Sequence, residues 1–213
     1  LAGGALGIEA IFGENPLLSK AAIVALAVFG IVILVRGSYK DIEKVLIGLV
    51  LLMAVAFILT FFVVQPSLLS MLSGMFKPSI PDGSLLTVIA LIGTTVVPYN
   101  LFLHASAAKS RWSGAQDLKA AKSDTVISIG LGGVVAILIA STAAASIYAN
   151  ALSVQSASDM AVQFEPLFGS MAKYLLGLGL FAAGLSSAIT APLATSFAVS
   201  ELLKVKGGES SAT

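Results

Sequence analysis

The chain has 213 residues, 57% of them hydrophobic and only 11% charged, with a mean hydropathy of +1.00 and a formal net charge of +1. Soluble domains carry about 25% charged residues, so this composition excludes an ordinary globular domain, and a charge so near neutral gives no reason to expect nucleic acid as a partner. Cysteine is absent, which excludes disulfides and thiolate metal sites.

In chain order, residues 1–13 read as the truncated end of a helix, because the chain starts with Leu1 inside an apolar pattern, as expected of a fragment. Glu9, in "LGIEAIFG", is its one acid. An acid at a helix end is expected to snorkel or pair with a base in preference to forming a vestibule cation site. A short crossing is predicted over 17–35 and a longer one over 45–64. Both runs are continuously apolar, whereas strands of a membrane barrel alternate. The following loop, 65–82, contains Pro66, Pro78 and Pro81, which stop a helix from running into the next crossing.

The fourth segment, 84–111, is unlike the others. Its uncharged run, from Gly83 to Ala108, contains "GTTVVPYNLFLH" at 93–104 and with it the only histidine of the chain. Pro98 has no amide hydrogen, its ring clashes with the carbonyl of Thr94, and it pushes Val97 away from helical dihedrals. Gly93 and the β-branched Thr94, Thr95, Val96 and Val97 weaken the helix further. Two half-helices are predicted, broken near 94–98, with unwound backbone at 94–97 close to the membrane midplane. Carbonyls freed there would cost several kcal/mol each against lipid, so they must face protein, water or an ion. A hydroxyl-satisfied kink is the plain alternative. Thr95, Tyr99, Asn100 and His104 crowd polar groups round the break, and an interrupted midplane helix is the best sequence pointer to a transporter site. Asn100 is expected to brace the backbone at the start of the second half-helix, and His104 to serve either as a packing residue or in the pathway.

Two further crossings, 125–149 and 174–200, bring the count to six helical segments in a single transmembrane region, 1–213. Asp124 and Glu201 fall at helix ends, and Asp159 and Glu165 are too few to make their loop a cation funnel. Pro192, flanked by Thr190 and Thr195, predicts a hydroxyl-satisfied bend. "GLSSA" at 184–188 invites comparison with intramembrane serine proteases, but their histidine follows the serine whereas His104 precedes Ser186. Small residues so spaced predict close helix packing instead. Nine of the twelve basic residues (Arg36, Lys40, Lys44, Lys109, Arg111, Lys119, Lys122, Lys204, Lys206) fall on one side of this arrangement, against Lys20, Lys77 and Lys173. That side is expected to be cytoplasmic.

The stretch "GTTVVPYNLFLHAS" resembles the sixth-helix signature of the Nramp family of divalent metal transporters, in which Met precedes Pro-His-Asn-Leu-Tyr-Leu-His-Ser. Pro98, Asn100, Leu101, Leu103 and His104 match, and Phe102 stands for the Tyr. "MFKPSIPDG" is similar to the family's preceding loop and "GLFAAGLSSAITAPLATSFAVSELL" to its eighth helix, so the likeness runs from about Leu1 to Leu203 as helices three to eight. It implies an all-α, polytopic helical membrane protein, part of a LeuT-like inverted-repeat transporter. It also implies that the Thr94 carbonyl lies at a metal-binding position and Val97 where a Met thioether would be. The family's Asp-Pro-Gly-Asn ligands of helix one are outside this chain.

Three departures bear on the ion. Val97 lacks sulfur, which favours harder ions over soft transition metals. Tyr99 stands where the family has a His implicated in proton movement, and a phenol of pKa about 10 is a poor proton carrier near neutrality. Leu185 replaces a Gln able to join the coordination shell. The resemblance is therefore to the Nramp-related magnesium transporter branch, with Thr94 and Thr95 beside a partly hydrated ion and Pro98, Tyr99, Asn100, His104 and Leu185 along the pathway. The expected function is inward transport of Mg²⁺ or Mn²⁺ through the lipid bilayer by alternating access, with the cation as substrate, no cofactor and no enzymatic step. The expected location is the plasma membrane, or the inner membrane of a bacterium. An organic solute carrier of the same broken-helix plan, binding a carboxylate at half-helix amino ends, is the other reading of the residues.

Overall fold

The computed structural model describes residues 1–36, 39–77, 79–112 and 114–203; the side chains at 39–43, 99, 107, 110, 197, 201 and 202 lie outside the description. Pro78, Lys204 and Lys206 therefore fall outside the described residues, as do the side chains of Lys40, Tyr99 and Glu201. Every regular element among the described residues is helical. They include five stretches long and apolar enough to cross a membrane, one of which, Leu85–Ser106, contains a break. The chain is an integral membrane protein by this measure, and many large apolar side chains, Phe62 and Val35 among them, point outward as lipid-facing residues do.

The chain divides into two compact units. The first comprises Leu1–Pro66 and Ile129–Thr190. In it α1, Ala2–Phe12, ends at Gly13, whose φ of 88° lies in the left-handed region that glycine enters without steric cost. Asn15 then accepts the amides of Leu17 and Leu18 at 3.0 and 3.2 Å, capping α2, Pro16–Arg36, which has proline at its first position. Glu9 is half-buried, and its partner is the hydroxyl of Ser19, so the acid closes the α1–α2 turn instead of pairing with a base.

The long helix α3, Tyr39–Val64, starts ahead of the apolar run that begins at Val45. One buried cluster joins Leu26 and Ile33 of α2, Leu46 of α3, and Ala182, Leu185 and Ile189 of α9, Ala172–Leu202. Along α9 those residues recur at three- and four-residue steps, the spacing of one helical face. The same helix packs closely on α1 through glycines, backbone against backbone at several points. A Cβ on Gly7 would meet the Gly177 carbonyl and the backbone of Phe181, and one on Gly184 the backbone of Gly3 and Gly4. Gly184 of "GLSSA" thus serves close helix packing. α9 runs uninterrupted through Pro192, with the Thr195 hydroxyl donating to the Ala191 carbonyl at 2.9 Å.

Helix α7, Leu118–Ala143, passes into a π-helical turn at Ala144–Tyr148. The segment after it is structured: a 3₁₀ turn at Asp159–Phe164, α8 at Glu165–Phe168 and a second 3₁₀ turn at Gly169–Met171 lead into α9. Phe164 is fully buried, its ring 4.6 Å from that of Phe57 on α3. Gln163, also buried, accepts the Thr142 hydroxyl at 3.2 Å. Asp159 accepts the amides of Gln155 and Ser156, each at 2.8 Å, so its carboxylate caps its own loop.

The second unit comprises Ser67–Ser128 and the residues from Ala191 onward. Its first element, α4, Leu68–Phe76, lies where the proline-rich sequence predicts only loop; the Ser67 hydroxyl caps it by accepting the Ser70 amide at 3.3 Å. Then come α5, Leu85–Thr95, α6, Pro98–Arg111, a 3₁₀ turn at Ala115–Asp117 and the first turns of α7.

Candidate functional site

The junction between α5 and α6 occupies two residues. Val96 has φ −98° and ψ 71°, and Val97 has φ −89° and ψ 126°, an extended conformation. Proline chemistry explains both limits. Pro98 cannot donate to the Thr94 carbonyl and forces the residue before it to extend, yet its own fixed φ suits the first position of a new helix. The unwound stretch is shorter than the sequence predicts, because Thr94 and Thr95 stay within α5. Their hydroxyls donate to one carbonyl, that of Leu91, at 2.9 and 2.8 Å. Each hydroxyl uses its hydrogen on the helix and keeps lone pairs directed elsewhere. Beyond Pro98 the Asn100 amide donates to the Val97 carbonyl at 3.0 Å and closes the first turn of α6, which has no side-chain cap.

The junction is open in this unit. Gly93, Thr94, Thr95, Val96, Pro98 and Asn100 are exposed and Val97 is half-buried. The Tyr99 backbone is the second residue of α6, and its side chain lies outside the description. His104, exposed, bonds through Nε2 to the hydroxyl of Thr125 at 3.2 Å, which ties α6 to α7. Val97 and His104 lie seven residues apart on α6 and its cap, close to two full turns, so they share a face of that half-helix. Thr94, Thr95, Val97, Pro98, Asn100 and His104 are thus gathered in one short helix-break-helix element. Leu185 is in the first unit, 2% exposed within the apolar cluster of Leu26, Ile33 and Ile189.

Among the described residues no three His, Asp or Glu side chains come together as a metal site. The junction offers the Thr94 carbonyl, which Pro98 leaves without its amide donor, and the hydroxyl oxygens of Thr94 and Thr95, all hard neutral donors. Two arrangements escaped the sequence reading. The Thr142–Gln163 pair and Phe164 anchor the segment after α7; the available signal was an aromatic pair, Phe164 and Phe168, in the loop. The Ser146 hydroxyl, buried without a partner, sits in the π turn beside a cavity of about 490 Å³ that Asn150 and Glu165 also line.

The sequence matches, over residues 1–211, the family described as natural resistance-associated macrophage protein-like, Nramp. It is similar to a "Divalent metal cation transporter MntH" of Erwinia tasmaniensis, with 32% identity over 197 residues, 90% of this chain and 48% of the relative. A protein of the same description from Klebsiella pneumoniae is 33% identical over 196 residues, 90% of this chain and 47% of the relative. One from Yersinia pestis is 31% identical over 196 residues, 90% of this chain and 48% of the relative. The chain spans about half the length of these relatives.

Proposed function

Because the chain belongs to the Nramp family, we propose that it is part of a membrane carrier that moves divalent cations inward, with Mg²⁺ or Mn²⁺ as substrate. The carrier works by alternating access in a LeuT-like arrangement, in the plasma membrane, which for a bacterium is the inner membrane. The cation, partly hydrated, is held at the α5–α6 junction by the Thr94 carbonyl and the hydroxyl oxygens of Thr94 and Thr95. Val97 forms an apolar wall there. Pro98 fixes the break, Asn100 starts α6, and Tyr99 and His104 line the way on. Leu185 is apolar and contributes no ligand.

One observation carries this reading: non-helical backbone at Val96 and Val97, in the middle of a stretch apolar enough to cross a membrane. Irregular backbone at membrane depth is tolerated only where it is covered by protein or lines a watery cavity. The carboxyl end of α5 presents carbonyl oxygens there, which suits a cation better than the carboxylate of an organic solute. The similarity to relatives described as divalent metal cation transporters supports the same substrate class. The oxygen-only donor set and the absence of a thioether at Val97 support the harder ions.

The test is uptake into proteoliposomes by the full-length protein, comparing Mg²⁺, Mn²⁺ and Cd²⁺ with and without a pH gradient. Uptake of Mg²⁺ or Mn²⁺ above Cd²⁺, with no requirement for the gradient, is the expected result. Strict dependence on the gradient, or a preference for Cd²⁺, would overturn the assignment to the harder ions.

A further inference from the structure

Outside the break, the second unit carries one more concentration of chemistry, where α6 ends and α7 begins. Between Lys109 and Asp124 the sequence has four basic residues, Lys109, Arg111, Lys119 and Lys122, against two acids, Asp117 and Asp124. The basic side chains are exposed. Trp112, the only tryptophan of the chain, ends α6 with the Arg111 guanidinium 5.4 Å from its ring centroid. Beside it is a cavity of about 350 Å³ lined by Ala108, Lys109, Trp112, Asp117, Leu118 and Ala121, among others. Lys109 and Asp117 already have partners, and Asp117 also accepts the Gly114 amide at 3.3 Å, so the cavity floor is satisfied. Lys122 follows Leu118 by one helical turn and so stands on the same face of α7.

We propose that this junction binds the head group of an anionic phospholipid, with the phosphate held by Arg111, Lys119 and Lys122 and the upper acyl carbons lying along Trp112, Leu118 and Ala121. A basic loop that served only to orient the protein would need charge but neither an indole nor a cavity. Here Leu118 is 56% exposed next to cations, an arrangement that water rewards poorly and an amphiphile fits. Tryptophan favours the level of lipid head groups, and basic pockets between membrane helices recognise anionic ones. Arginine adds a planar fork for phosphate oxygens while its other face stacks on the indole. A soluble phosphate would use the charges and leave the apolar wall without an occupant.

Because Trp112 is the only tryptophan, quenching of the fluorescence of the 213-residue chain reports on this junction alone. The chain is reconstituted in nanodiscs of phosphatidylcholine containing either brominated phosphatidylglycerol or brominated phosphatidylcholine. Stronger quenching by the anionic lipid at equal mole fraction is expected, and equal quenching by the two overturns the proposal. Each basic residue at an anionic surface is worth roughly fivefold in affinity, so R111Q/K119Q/K122Q should weaken the anionic preference about a hundredfold. The charge-conserving R111K/K119R/K122R should keep most of it. Retention of the preference in the neutral variant, or its abolition in the wild-type chain by excess inorganic phosphate, would also overturn the lipid assignment, the latter in favour of a soluble anion.

Discussion

His104 and Thr125 meet with Nε2 and Oγ1 3.2 Å apart, and the direction of that bond follows from its surroundings. The Thr125 hydroxyl has a single hydrogen, which it donates to the Ala121 carbonyl at 2.9 Å. The imidazole is then the donor, with a hydrogen on Nε2. The histidine thus spends one nitrogen on joining α6 to α7. Replacing Thr125 by Val removes the acceptor. A double-mutant cycle of Thr125→Val with His104→Ala, read by thermal unfolding, is expected to give a coupling of about 0.5–1 kcal/mol, as for a partly exposed hydrogen bond. Strict additivity would mean that the contact contributes nothing.

Val97 stands at the junction with an apolar, sulfur-free side chain. In the complete carrier, Val97→Met supplies a soft thioether at the same backbone position, and the uptake ratio of Cd²⁺ to Mg²⁺ is expected to rise by roughly tenfold or more, the equivalent of one added favourable ligand. An unchanged ratio would remove ligand softness as the basis of selection.

Both threonine hydroxyls already donate to the Leu91 carbonyl. Thr94→Ala preserves the peptide oxygen, and Thr95→Val preserves shape as well. Each is expected to weaken cation binding by less than about 1 kcal/mol, the scale of one neutral hydrogen-bonding group. Isothermal titration with Mg²⁺ measures this, and complete loss on either substitution would make the hydroxyl itself the indispensable ligand.

Leu185 is enclosed by apolar side chains. Leu185→Gln would bury an amide with no partner among them and should lower stability by about 1–3 kcal/mol. A thermal-shift measurement in detergent checks it; an unchanged melting temperature would mean that the position reaches water.

The glycines of α1 and α3 should respond in opposite directions. At Gly7 a side chain would collide with the Gly177 carbonyl, whereas at Gly48 there is open space. Gly7→Val is expected to cost about 1–3 kcal/mol through overpacking, and Gly48→Ala to gain up to about 1 kcal/mol through helix propensity. Melting temperatures moving in the same direction for both would contradict the packing described.

The helical class and the family were legible because unbroken apolar runs and the residues round Pro98 are local properties of the sequence. The extent of the break was less so. β-Branching at Thr94 and Thr95 argues against helix, yet both residues stay in α5, with their hydroxyls bonded back to the turn above. The helix α4 was hidden by the prolines on either side of it, whose stopping effect outweighed a nine-residue run opened by a capping serine. The anchoring of the segment after α7 depends on Gln163 and Phe164 meeting residues more than twenty positions away, such as Thr142 and Phe57, a relationship that no window of sequence contains. Glu9 found a hydroxyl where a base was expected, because the tight turn at Gly13 brings Ser19 into reach.

The bare contact between α1 and α9 restricts how this protein can change shape. At Gly7 and Gly177 backbone approaches backbone with only the Ile11 side chain alongside, so sliding one helix past the other there would drive main chain into main chain.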